Sequence, residues 1–156
     1  MSKEKLQTVD PVEEVNTLVS KALVALDEFK KIEDQEKIDA IVQAAAVAAL
    51  EAHGPLAVAA VKETGRGIVE DKAIKNLYAC EYIVNYMRDL KTVGVIDKDD
   101  VDGLTAIAEP VGVVCGVVPT TNPTSTTVFK SLICLKTRNP IIFSFHPSAN
   151  ECSKQA

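Results

Sequence analysis

The residues best equipped for chemistry lie between positions 119 and 127. Pro119-Thr120-Thr121-Asn122-Pro123-Thr124-Ser125-Thr126-Thr127 offers one carboxamide and six hydroxyls between a hydrophobic run and an apolar-periodic stretch. In open α/β folds, ligands bind outside the carboxyl ends of parallel strands, where loops lead into helix N-termini. Free N–H groups at such a terminus favour an anion. The segment therefore suits a nucleotide or another anionic ligand; the alternative is that Asn122 and the threonines only cap a helix. Neither glycine-rich phosphate pattern is present, because Gly112 and Gly116 fall inside the strand and no G-K-[ST] ending follows. His146 holds the equivalent place one βα unit later, where it either touches the same ligand or closes a turn with Pro147.

Other reactive side chains carry less. His53 ends an alanine-rich helix and is expected to satisfy its last carbonyls. Cys80, Cys115, Cys134 and Cys152 never form a C-x-x-C pair and have only two histidines to help them. They read as small buried hydrophobes rather than a zinc site or disulfide framework. Tyr78, Tyr82 and Tyr86 fall on one helical face, which reads as a packing surface, with a ligand platform as the alternative. The cluster Asp97, Asp99, Asp100, Asp102 resembles a calcium loop only superficially. An EF-hand opening at Asp97 needs acids where Val101 and Ala108 stand, so a solvated turn is expected.

These residues need elements to hold them. Apolar residues at Val12, Val15, Val19, Ala22, Leu26 and Phe29 predict a helix over 12–30. A second is expected over 33–53, stopped by Gly54. Pro55 is placed to open a third, which Gly65 closes, and a fourth covers about 70–90. From Leu104 the pattern changes to Val- and Ile-rich strands at 104–108 and 111–118, bent at Glu109-Pro110. The second is almost wholly hydrophobic, as a strand buried on both faces of a parallel sheet is. Asn122 and Pro123 suit the start of a helix, Val128, Phe129, Leu132, Ile133 and Leu135 give it an apolar side, and 141–145 reads as the next strand. The fold class is α/β: helices followed by a right-handed βαβ unit.

Composition sets the outer limits. The chain has 156 residues, 47% hydrophobic and 25% charged, enough to bury a core as a single domain. No uninterrupted apolar run reaches the roughly 18 residues of a membrane span, and residues 1–11 are polar. A cytoplasmic protein is expected. Net charge is −5, which argues against a nucleic-acid partner. Residues 1–103 hold 20 acids and 13 bases, residues 104–156 hold 2 and 4, so an anionic ligand belongs with the latter. Residues 148–156 read as the opening of another helix. Two parallel strands do not make a finished sheet, so the chain is expected to be the first part of a larger protein, marginally stable or self-associating by itself.

The stretch Glu109-Pro110-Val111-Gly112-Val113-Val114-Cys115-Gly116-Val117-Val118-Pro119-Thr120-Thr121-Asn122-Pro123-Thr124-Ser125-Thr126 resembles the aldehyde dehydrogenase superfamily. With Phe129-Lys130-Ser131-Leu132, Lys136-Thr137-Arg138-Asn139 and Phe145-His146-Pro147, it is most similar to the CoA-acylating half of bifunctional acetaldehyde/alcohol dehydrogenases of fermentative bacteria. Glu63-Thr64-Gly65 suits the same family, so the resemblance covers essentially the whole chain. It implies that residues 1–156 are an incomplete, Rossmann-like NAD-binding domain, with a helical part at 1–103 and strands and the βαβ unit at 104–156.

The resemblance also implies a reaction. A cysteine thiolate attacks the aldehyde, hydride passes to NAD, and CoA, as co-substrate, takes the acyl group. Iron belongs only to the separate alcohol dehydrogenase half. Asn122 matches the asparagine whose amide helps form the oxyanion hole. Val118, Pro119, Thr120 and Thr121 match the loop along the dinucleotide, and His146 and Pro147 the strand end near the adenosine ribose. None of the four cysteines falls in the nucleophile's motif, so this polypeptide alone is expected to be inactive. Many non-acylating relatives have one residue between the proline and asparagine and a lysine at the position of His146; Thr120-Thr121 and the histidine suit the acylating branch. A homo-oligomeric parent, without nucleic acid or membrane partners, is expected. The competing readings are a non-catalytic assembly fragment and a piece of a monofunctional acylating enzyme.

Overall fold

The structure, a computed structural model, describes residues 10–156. Helix α1, Pro11–Lys30, starts where Asp10 accepts the Val12 N–H at 3.0 Å and Pro11 supplies a preset φ. Only the second half of its apolar stripe is used: Ala22 and Leu26 are buried, whereas Val12 and Val15 are exposed.

Helix α2, Gln35–Thr64, corrects the expectation of two helices meeting at Gly54-Pro55. It runs unbroken for 30 residues from an Asp34 cap to Gly65, whose left-handed φ of 63° lets its N–H reach the Val61 carbonyl. Pro55 deprives the Glu51 carbonyl of its helical donor. The usual clash with the residue before proline involves that residue's Cβ, and Gly54 has none. By length and composition α2 also passes for a membrane span; in the fold it is the central helix, packed on α3 (Val69–Leu77), α5 (Pro123–Lys136) and α6 (Asn150–Gln155).

After α3 the chain passes through a π-helical turn, Tyr78–Tyr82, into α4, Ile83–Met87. The tyrosine stripe is not a packing surface among the described residues: Tyr78 and Tyr82 stack on each other, and all three rings are exposed. The packing side is Ala79, Cys80, Val84 and Met87, which join Ile38, Val42 and Ala46 of α2 and Val128 and Leu132 of α5 in the main core.

Strand β1, Gly94–Asp99, pairs antiparallel with β2, Leu104–Ala108. It lies inside residues 1–103, read as the helical part, and its end overlaps the aspartate cluster read as a solvated turn. The turn survives at its end, where Asp99 accepts the N–H groups of Val101 and Asp102. Strand β3, Val114–Val118, pairs parallel with β4, Ile141–Phe145, with α5 as the crossover. Burial on both faces does not hold. Gly116 and Val118 are buried, but Cys115 and Val117 face outward, because α5 covers one side of the pair. Cys115 is accordingly an exposed thiol, unlike Cys80, Cys134 and Cys152.

The turn between α5 and β4 ties the layers together. Arg138, buried and at a φ of 56°, donates to the carbonyls of Ile32 and Ala108, each at 3.2 Å. Asn139 accepts the Gly112 N–H at 3.1 Å, and Pro140 accepts that of Val114 at 2.8 Å. After β4, a short 3₁₀ turn, Pro147–Ala149, leads into α6, as the expected opening helix does.

Candidate active site

The parallel pairing of β3 and β4 brings their carboxyl ends side by side, with Val118 opposite Phe145. Val118 itself points into the interior; exposure starts at Pro119. The Thr120 hydroxyl lies 3.2 Å from that of Ser148, which lies 2.8 Å from His146 Nδ1. The Ser148 N–H donates to the same Nδ1 at 3.2 Å. A neutral ring accepting at Nδ1 carries its proton on Nε2, so exposed His146 presents an N–H outward while closing the Pro147 turn. Both readings of His146 are thus compatible with its geometry.

Asn122 faces a different neighbour. It sits at the N-cap of α5 with a φ of −137°, yet its side chain makes no cap bond. Its Oδ1 instead accepts from Lys75 Nζ at 3.1 Å. Among the described residues Nδ2 has no protein acceptor, so the amide's donor end is free. Capping is therefore not the function of this carboxamide. Asn122 and Lys75 open onto a cleft of about 380 Å³ completed by Tyr78, Ala79, Ile83, Ser125, Thr126 and Phe129. The cleft is largely apolar with a polar rim, as small-molecule sites are.

The loop is fixed from α3. Lys72, only 6% exposed, donates to the Thr121 carbonyl at 2.8 Å. Burial, then the charge of Lys75, pushes its pKa down, opposed by Cys152. Buried Asn76 accepts the Thr124 hydroxyl at 2.8 Å and donates to the His53 carbonyl at 2.8 Å. His53 itself bonds the Leu50 carbonyl as expected, but within α2 rather than at its end. Lys130 on α5 holds the Val117 carbonyl at 2.7 Å.

Sequence reasoning missed Lys72, Lys75 and Asn76. A lysine pair three apart on an amphipathic helix reads as solvated surface, and nothing local reveals partners 47 to 49 residues away. No cysteine lines the cleft. Burial pushes the Cys80 thiol up to about 11 and that of Cys152, beside Glu63, up to about 11 as well. Neither is an activated nucleophile.

Residues 5–152 match the aldehyde dehydrogenase family. The chain belongs to that family. It is 63% identical over its whole length to an aldehyde-alcohol dehydrogenase 2 of Entamoeba histolytica, covering 18% of it. It is 65% identical, over 91% of its length, to an aldehyde-alcohol dehydrogenase of Streptococcus pneumoniae, covering 16% of that protein. Among solved structures, an acetylating aldehyde dehydrogenase from Geobacillus thermoglucosidasius superposes with a TM-score of 0.91 at 46% identity, over 96% of this chain and 33% of that one. The α/β reading and the aldehyde dehydrogenase resemblance therefore hold. The chain spans less than a fifth of these two curated relatives.

Proposed function

We propose that residues 1–156 form the leading part of the NAD-binding domain of a cytoplasmic, CoA-acylating aldehyde dehydrogenase. The parent interconverts acetaldehyde and acetyl-CoA in fermentative ethanol metabolism, carries an iron-dependent alcohol dehydrogenase half, and assembles as a homo-oligomer. The observation that carries this reading is the Asn122 carboxamide, which makes no cap bond, leaves Nδ2 without a protein acceptor among the described residues and belongs to the lining of an apolar cleft.

Attack of a thiolate on an aldehyde turns its carbonyl oxygen into an oxyanion. Asn122 Nδ2 donates to that oxygen, and the unpaired first N–H groups of α5 add positive potential beside it. The thiolate comes from the longer polypeptide, since none of the chain's own cysteines lines the cleft and burial raises the Cys80 and Cys152 thiols to about 11.

A dinucleotide fits the adjoining surface. Two parallel strand ends lie side by side, linked through Thr120 and Ser148, and the His146 ring offers an outward N–H suited to a ribose hydroxyl. When bound, NAD supplies the hydride acceptor. Pro119, Thr120 and Thr121 form its supporting edge, with the backbone immobilised by Lys72. His146 and Pro147 border the same surface.

In the complete enzyme, Asn122→Ala is expected to lower kcat for CoA-dependent acetaldehyde oxidation by about 10²–10³-fold, with calorimetric NAD⁺ affinity retained. An unchanged kcat overturns the role of Asn122. The isolated 156-residue chain is expected to form no NADH from acetaldehyde, CoA and NAD⁺; turnover there would mean that one of its own thiols is the nucleophile.

A further inference from the structure

A carboxamide is ambiguous. Rotating it by half a turn exchanges donor and acceptor in nearly the same space. With Nδ2 forward, Asn122 stabilises an oxyanion; with Oδ1 forward, it repels one. An N-cap asparagine ordinarily settles the matter by giving its oxygen to a helix N–H, and Asn122 does not. Something else must choose the orientation.

We propose that Lys75 is the positioning residue that makes this choice. Its ammonium has three donors and no acceptor, so it tolerates only the orientation that turns Oδ1 towards it, as found at 3.1 Å. That orientation leaves Nδ2 without a protein acceptor among the described residues, and both side chains line the cleft. Neighbouring side chains cannot substitute. Lys72 is buried against the Thr121 carbonyl, and Asn76 joins Thr124 to His53. Those two hold the loop's backbone from α3, and Lys75, one helical turn beyond Lys72, adds the side-chain orientation. The inference deepens the oxyanion reading of Asn122 and rests on it.

The test is a double-mutant cycle in the complete enzyme, with Lys75→Met, Lys75→Arg, Asn122→Ala and the Lys75→Met/Asn122→Ala pair. Lys75 is exposed, so Lys75→Met is expected to leave the thermal midpoint in place. It is expected to reduce kcat about fivefold to tenfold, the range for a solvent-weakened bond to a charged donor, with the aldehyde KM within about twofold. Lys75→Arg, which keeps a cationic donor, restores most of the rate. In the Asn122→Ala background the Lys75 substitution costs nothing further, because there is no amide left to orient. Full activity of Lys75→Met, or an equal loss with and without Asn122, overturns the proposal while leaving the oxyanion reading intact. Full activity of Asn122→Ala removes that reading and this inference together.

Discussion

Alanine in place of Gly116 is expected to lower stability, whereas alanine in place of Gly54 brings no gain. A Cβ built on Gly116, in β3, meets Ile141 Cδ1 at 2.7 Å, Phe143 Cδ1 at 2.9 Å and Ile141 Cγ1 at 3.0 Å. All three atoms belong to side chains of β4, and Ile141 Cγ1 is held by a χ1 that β-branching makes stiff, so relief requires Ile141 and Phe143 to repack. Overpacking of this kind costs about 1–3 kcal/mol. The lower chain entropy of alanine in the unfolded state returns about 0.4–1 kcal/mol, leaving a loss near 1–2 kcal/mol. A Cβ on Gly54, inside α2, meets nothing within 4 Å beyond its chain neighbours, but it restores the clash with the Pro55 ring that glycine avoids. The helix-propensity gain of alanine there, about 0.5–1 kcal/mol, is therefore offset. In urea, with a slope of about 1–3 kcal/mol per molar, a loss of about 1.5 kcal/mol lowers the Gly116→Ala midpoint by roughly 0.5–1.5 M. The Gly54→Ala midpoint does not rise. An unmoved Gly116→Ala midpoint would refute the close approach of β3 to β4 from which the estimate is built.

An aromatic disulfide at pH 8 is expected to modify Cys115 rapidly in the native chain. Cys80 and Cys152, raised by burial to about 11, and Cys134, raised by burial against the pull of Lys130, react only on unfolding; a second fast native thiol contradicts this. Burial pushes the Glu63 carboxyl up, but hydrogen bonds from Cys152, Glu151 and Asn150 outweigh it, leaving the group below its ordinary 4.5. Its contribution is therefore complete above about pH 4.5 and vanishes as pH falls through the lower folded value. The midpoint advantage of the wild type over Glu63→Gln is expected to follow that course, and an advantage that grows towards low pH would reverse the sign.

The βαβ unit was the most legible part of the chain, because its strands, helix and stops all pointed to one arrangement. Its first strand starts at Val114 rather than 111, since Gly112 takes a φ of 124° and Asn139 captures its N–H. The Gly54-Pro55 pair misled because it carries both a stop and a start signal. Without a Cβ at Gly54, the pair also fits inside a helix that tertiary packing on both sides holds unbroken. Strand β1 was hidden by its acids: Asp97 and Asp99 depress strand propensity, but every residue of β1 is exposed, so no charge had to be buried. At the site, the position of Asn122 could be read from its place before Pro123. The direction of its amide could not, because it is set by Lys75 on another helix.

Arg138 has a consequence for how the chain comes apart. Its guanidinium reaches back 106 residues to the corner between α1 and α2, and 30 residues to the exit of the hairpin. Longer loops add only slowly to the entropy of closure, about 0.6 kcal/mol per doubling, so distance along the chain is no obstacle. Simultaneity is the real demand. Opening either partner segment leaves the buried cation short of an acceptor, and opening its own turn unpairs the carbonyls of both partners. Segments that share few other contacts are thereby made to melt together, and one side chain widens the cooperative unit from a local turn to the helix corner and the hairpin exit.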